Sequence, residues 1–237
     1  GYDGFDVDAG SYDSWYWAHP PMYFEDGMNL DFARRLKQAM DVPVLVAGRM
    51  DRPELAARAV EQGEVDLVGL GRPLLADPEV VNKIRRDAFD RIRPCLGCHE
   101  GCMQRLVTAK PVSCAVNPAC GREMAYTLLP VLERKRVAVI GGGPAGMEAA
   151  RVLALRGHAP HLFERADRLG GALLLAGAPD FKRDDLRLSR WYQKELEQLQ
   201  VPVSLQTDGK QALEQEDWDC ILLATGSRPK RLTLPGT

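Results

Sequence analysis

Short β-rich runs alternate with amphipathic stretches through the first 94 residues. Phe5-Asp6-Val7 reads as a short strand, and a long loop follows it to about Asn29. Asn29 is placed to cap a helix whose apolar side includes Phe32, Leu36 and Met40. Val42-Pro43-Val44-Leu45-Val46-Ala47 is an apolar run suited to a buried strand. Asp51 and Glu54 have capping-box spacing, with Pro53 near the first helical position and Gly63 at the far end. Val65-Asp66-Leu67-Val68-Gly69 reads as the next strand, and Asp77-Pro78 starts a helix to about Arg86. Strands alternating with helices imply a parallel sheet.

The same rhythm resumes near residue 136. Val137-Ala138-Val139-Ile140 is a strand, and a helix containing Met147, Ala150, Leu153 and Ala154 ends near Gly157. His161-Leu162-Phe163-Glu164 is a second strand with an acid at its end. Between these two α/β stretches lie a cysteine-rich segment and a linker that ends in Glu133-Arg134-Lys135-Arg136. The expected division is 1–94, 95–120, 121–135 and 136–237. No solenoid repeat or low-complexity tract interrupts it.

Composition narrows the class. The 237 residues are 45% apolar, enough for one large or two small cores. A net charge of −2 with dispersed Lys and Arg gives no basic stripe for nucleic acid and no polybasic patch for a membrane surface. No run of about 18 apolar residues is present, so no membrane span is expected. The first residues lack the pattern of a signal peptide. Clustered cysteines without a secretory signal point to a reducing, cytoplasmic setting.

Those cysteines carry the strongest chemical signal. Cys95, Cys98, Cys102 and Cys114 are spaced C-x2-C-x3-C-x11-C, and five of the six cysteines fall between 95 and 120. Clustered thiolates select zinc or an iron–sulfur cluster. Zinc sites usually show two separated C-x2-C knuckles. Three cysteines in one short loop with a lone fourth suit a cubane cluster better. Structural zinc and plain buried thiols remain the alternatives, and Cys120 competes with Cys114 as fourth ligand. Cys220, in an apolar strand, reads as a core thiol.

Two phosphate-type signals flank this segment. Gly48-Arg49 and Gly71-Arg72 follow successive strands. In a (β/α)8 barrel the loops after the last two strands often bind phosphate: glycine admits it and arginine pairs with it. The plain alternative is two turn glycines and two surface arginines. Gly141, Gly143 and Gly146 satisfy G-x-G-x-x-G between a strand and a helix, with Glu164 after the next strand. This order is specific for a dinucleotide site, with Glu164 placed for ribose hydroxyls.

Taken together, Phe5 to Tyr12, the two Gly-Arg turns, the cysteine segment and the glycine motif resemble the iron–sulfur flavoprotein branch of the old yellow enzymes: 2,4-dienoyl-CoA reductase, 2-enoate reductase and trimethylamine dehydrogenase. The stretch from Asp6 to Tyr23, with Trp15-Tyr16-Trp17-Ala18-His19-Pro20-Pro21, is most similar to the 2-enoate reductase type. Three residues between Cys98 and Cys102 match the enoyl-type reductases, where the amine dehydrogenases usually have two.

The resemblance implies the C-terminal part of an FMN-binding (β/α)8 barrel, a cluster segment and the first part of a Rossmann-like FAD domain. It makes the chain an internal fragment, with the first five strands, a family tyrosine acid and the NAD(P)H domain lying elsewhere. The implied activity is reduction of an activated C=C bond in an unsaturated acid or acyl-CoA. Electrons would run from NAD(P)H through FAD, a 4Fe-4S cluster and FMN. Carried onto this chain, Cys95, Cys98, Cys102 and Cys114 ligate the cluster. Gly48, Arg49, Gly71 and Arg72 hold FMN, while Gly141, Gly143, Gly146, Glu164, Gly171, Thr225 and Gly226 hold FAD. An amine dehydrogenase of the same architecture, or a non-catalytic metal-binding module, are the competing functions. A homo-oligomer is compatible with the resemblance.

His19 lies in the loop where the family places an acid/base histidine. A histidine there can protonate a carbanion, or simply pack beside Pro20-Pro21. Tyr12 is a second candidate acid. Trp15, Tyr16 and Trp17 are candidate walls of a substrate pocket, His99 a candidate partner of a cluster sulfur, and His158 and His161 structural residues.

Overall fold

Where β-branched runs were expected to pair, the computed structural model, which describes residues 1–215 and 217–227, forms two parallel sheets. They belong to two units: Gly1–Thr127 with Gly177–Trp191, and Leu128–Ala176 with the residues from Tyr192 onward.

In the first unit the strands are β1 (Phe5–Val7), β2 (Val44–Val46) and β3 (Leu67–Val68), in the order β1-β2-β3. Val7 lies opposite Val46, and Val46 opposite Val68, so all three strands end at one level. Val44 and Val46 are fully buried and pack with Leu30, Ala33, Met50, Ala59 and Val65. The short helix α1 (Trp15–Ala18) lies in the loop after β1, and α2 (Leu30–Ala39) returns to the sheet. α2 buries Leu30 and Ala33 and packs Leu36 against the same core, whereas Phe32 and Met40 are exposed, so the expected apolar side holds at Leu36 only. Asn29 precedes α2 without a side-chain cap; its amide instead donates to the Ala47 carbonyl at 3.0 Å, tying the loop to the end of β2.

α3 (Pro53–Glu61) opens on Pro53, but Asp51 makes no capping box and faces arginines instead. The expected helix after Asp77 is α5 (Val80–Arg85), preceded by a five-residue turn of helix, α4 (Arg72–Ala76), that the apolar pattern did not reveal. Cys102 precedes α6 (Met103–Val107).

The second unit holds β4 (Arg136–Ile140), β5 (Ala159–Phe163), β6 (Val203–Ser204) and β7 (Cys220–Leu223), all parallel in the order β6-β5-β4-β7. Helix α7 (Pro144–Leu155) links β4 to β5 and buries Gly146, Met147 and Ala150. The remaining helices are α8 (Ala172–Ala176), α9 (Arg183–Gln198) and α10 (Gly209–Gln215). Ala138, Ile140, Phe163 and Ala212 form a core closed by Trp218. Cys220 stands exposed on the edge strand β7, not in a core. Among the described residues no helix is long and apolar enough to cross a membrane.

Candidate functional site

The level ends of β1, β2 and β3 wall a cavity of about 260 Å³. It is lined by His19, Gly48, Arg49, Gly71, Arg72 and Cys95, among others. Residues from four separate stretches of sequence thus face one space at the C-terminal edge of a parallel sheet, where α/β folds place ligands. Local backbone makes this geometry. Gly48 (φ 102°) and Arg49 (φ 54°) are both left-handed, so the chain turns sharply after β2. A side chain at Gly48 would meet the Asn29 amide at 2.6 Å.

The geometry divides the two arginines. Arg49 is 6% exposed, and its Nη2 donates to Asp184 at 2.9 Å and to Asp26 at 3.1 Å. Asp26, Asp51 and Asp184 together meet Arg49, Arg52, Arg183 and Arg187, four cations against three anions. Burial works against the charge on Arg49, but Asp51, Asp184 and Asp26 outweigh it and hold the pKa above its ordinary value. Burial likewise pushes the Asp184 carboxyl up, and Arg49 and Arg187 bring it below the usual carboxylate range. Arg49 Nε is buried and has no hydrogen-bond partner among the described residues. Arg72 is engaged differently: its Nη1 donates to His99 Nε2 at 2.6 Å. An arginine cannot accept, so that ring nitrogen carries no proton and His99 is neutral. Burial first, then the Arg72 charge, lower the His99 pKa to about 4.

A second cavity adjoins the first, sharing Arg72 and Cys95, and is lined by Cys95, Cys98, Cys102 and Cys114. Gly97 (φ 62°) and His99 (φ 63°) flank Cys98 in left-handed conformations, which coil the C-x2-C turn tightly. A side chain at Gly101 would strike the Ser113 carbonyl at 2.5 Å, and the Ser113 N–H donates to the Gly101 carbonyl at 2.7 Å. This contact brings Cys114 to the three-cysteine loop. Burial raises the Cys95 thiol to about 12, against the Gly97 N–H and Arg72, and raises Cys98 as well. Cys120 is buried, but it is not among the residues lining the cavity.

The donor set is suited to a cluster. A single zinc ion would draw four sulfurs to about 2.3 Å from one point. Among the described residues, no group of three or more His, Cys, Asp or Glu is gathered tightly enough to hold a single ion. Cys95, Cys98, Cys102 and Cys114 line one small cavity, and four soft thiol donors around one space are a set that an iron–sulfur cluster takes.

In the second unit the glycine turn is built by close approach. Gly141 (φ 113°) donates to the Phe163 carbonyl at 2.8 Å, and a side chain there would meet the Ala224 carbonyl at 2.3 Å. A Cβ on Gly146 would lie 1.8 Å from the Gly141 carbonyl oxygen, so helix and strand pack only with glycine there. Gly143, in contrast, faces open space at the start of α7, whose N-terminus favours negative charge. Gly170 donates to the Gly142 carbonyl at 2.8 Å, and Gly171 packs on Gly143, so this loop and Ala224-Thr225-Gly226 border the turn. Glu164 accepts from Gly142 N at 2.6 Å and from Ala166 N at 2.8 Å. Each carboxylate oxygen keeps a further lone pair for a ribose hydroxyl.

Of the candidate acids, His19 lies in the 260 Å³ cavity with its ring edge on Trp15, 4.9 Å between centroids. Tyr12 is 91% exposed and is not among the cavity-lining residues. Asn29, Asp26 and Asp184 shape the site yet carried no motif; only their partners, brought from distant sequence, reveal them.

Residues 8–90 match the NADH:flavin oxidoreductase / NADH oxidase family, and residues 135–237 the pyridine nucleotide-disulphide oxidoreductase family. Cinnamate reductase of Clostridium sporogenes is 51% identical over 237 residues, which is 100% of this chain and 36% of that protein. N,N-dimethylglycine/sarcosine dehydrogenase of Chromohalobacter salexigens is 40% identical over 90% of this chain and 30% of its own length. A solved 2-naphthoyl-CoA reductase in complex with 2-naphthoyl-CoA superposes with a TM-score of 0.94 at 31% identity, covering 98% of this chain and 36% of that one. The chain thus spans about a third of the length of these relatives.

Proposed function

Because the chain belongs to the NADH:flavin oxidoreductase / NADH oxidase family and carries a pyridine nucleotide-disulphide oxidoreductase segment behind it, we propose that it is part of an NAD(P)H-dependent flavin and iron–sulfur enzyme that reduces an activated C=C bond. The observation that carries this reading is the meeting of His19, Gly48-Arg49, Gly71-Arg72 and Cys95 around one cavity at the strand ends. Residues 1–94 then form the end of an FMN barrel, 95–120 the cluster segment, 121–135 a linker and 136–237 the start of an FAD domain.

When bound, FMN supplies hydride to the alkene, FAD takes up reducing equivalents from NAD(P)H, and a four-iron four-sulfur cluster carries single electrons between the flavins. Cys95, Cys98, Cys102 and Cys114 would hold the cluster. Arg72 would contact the FMN phosphate directly, while Arg49, fixed by Asp26 and Asp184, adds its charge from behind the Gly48 turn. Gly143 and the start of α7 would face the FAD pyrophosphate, with Glu164 on the ribose and Gly171, Thr225 and Gly226 alongside. His19 holds a proton at the cavity wall for the carbon next to the one that receives hydride. The similarity to cinnamate reductase supports a 2-enoate as the substrate class, with an enoyl-CoA as the related choice.

The test uses the full-length protein that carries this chain, purified anaerobically and assayed with NADH and NADPH against an aryl 2-enoate, an enoyl-CoA and a methylated amine. Alkene reduction without amine oxidation is expected. Amine oxidation without alkene reduction would replace this reading with the amine dehydrogenase one, which the dimethylglycine/sarcosine relative favours.

A further inference from the structure

His99 lines the cysteine cavity and bonds Arg72, which lines both cavities of the first unit. Its Nε2 accepts from Arg72 at 2.6 Å. Its ring also lies near the backbone of Pro20, whose carbonyl favours the protonated ring. Its own backbone, left-handed at φ 63°, is part of the turn that also carries Cys98. The loop it reaches is pinned from the same side: Met22 N donates to the Gly97 carbonyl at 3.0 Å, and a side chain at Gly97 would lie 3.0 Å from Met22 N. The cysteine turn, the loop bearing His19 and the Gly71-Arg72 turn therefore meet at one imidazole.

We infer that His99 is a positioning residue for the anion end of the flavin cavity, fixing the Arg72 guanidinium through a hydrogen bond from the cysteine loop. The inference rests on the reading that Arg72 meets the FMN phosphate. Arginine carries large rotamer freedom, and a side chain already held in its working rotamer loses less on binding. A hydrogen bond that involves a charged group is also among the stronger ones. Histidine is neutral in this bond, so it orients Arg72 without cancelling its charge. A carboxylate at the same place would hold the guanidinium equally well but would repel the phosphate.

The experiment measures FMN affinity by flavin fluorescence on FMN-depleted full-length protein, with iron and FAD content measured on the protein as purified. His99→Ala is expected to keep iron and FAD and to weaken FMN binding about tenfold. Glutamine places a carbonyl oxygen near the position of Nε2, so His99→Gln is expected to recover most of the loss. In an Arg72→Ala background, which itself weakens FMN, His99→Ala is expected to add nothing. FMN affinity unchanged in His99→Ala would overturn the inference. So would a loss of equal size in the Arg72→Ala background, or loss of iron in both His99 variants. If Arg72→Ala leaves FMN affinity intact, the phosphate reading itself falls, and that result is distinct from failure at His99 alone.

Discussion

In the proposed reaction His19 is the proton donor, because hydride delivered to one alkene carbon leaves charge on its neighbour. His19→Ala in the full-length enzyme is expected to slow alkene reduction roughly 100-fold, the usual loss of a general acid. Reduction of the bound flavins by NAD(P)H should continue, and stopped-flow traces separate the two half-reactions. Equal slowing of both would make His19 a structural residue. Asp184 works at the same scale through charge. It is 2% exposed and accepts from Arg49, Arg52 and Arg187, so Asp184→Asn leaves buried Arg49 and two half-buried arginines short of a partner. A loss of roughly 3–5 kcal/mol at neutral pH is expected in urea unfolding. The Asp184 pKa is depressed in the fold, so its stabilisation is complete above the unfolded value near ~3.9 and disappears as pH falls through the lower folded one. The gap between the two proteins should therefore narrow below about pH 4. The place of His19 at the cavity wall was legible in the sequence from its loop after a strand. Asp184 was not, because Arg49 and Arg52 lie 135 and 132 positions away and no local period records them.

At the scale of elements, the glycine turn separates packing from binding. Gly146→Ala places a Cβ against the Gly141 carbonyl, so α7 must move off β4. Lower melting temperature and lost FAD are expected together. At Gly143 the added methyl meets nothing within 4 Å, so Gly143→Ala should melt like the parent and still bind FAD more weakly. Thermal melts and bound-FAD measurements read both variants; equal effects on stability would place the two glycines in the same structural role. Strands β1 to β5 and helix α7 were legible from their apolar runs, whereas β6, two residues long, was not. The cap at Asn29 and the capping box at Asp51 were misread for one physical reason: each side chain found a longer-range partner better than its own helix end. α4 escaped notice because five residues are too few to show a period. Cys220 was misread because an apolar strand can be an edge strand, and edges follow from sheet order rather than from composition.

Across the whole molecule, the central claim is that four thiols, 95, 98, 102 and 114, serve one iron–sulfur centre beside the flavin cavity. Their spacing was readable as a cluster motif, but its setting was not. The sharing of Arg72 and Cys95 by both cavities depends on the Gly101–Ser113 contact and on two left-handed residues around Cys98. Iron and acid-labile sulfide in anaerobically purified full-length protein, compared between Cys114→Ser and Cys120→Ser, test the claim most directly. The account requires about four irons and four sulfides in the parent and in Cys120→Ser, with both lost in Cys114→Ser. Iron retained in Cys114→Ser but lost in Cys120→Ser, or zinc in place of iron and sulfide in the parent, would contradict it.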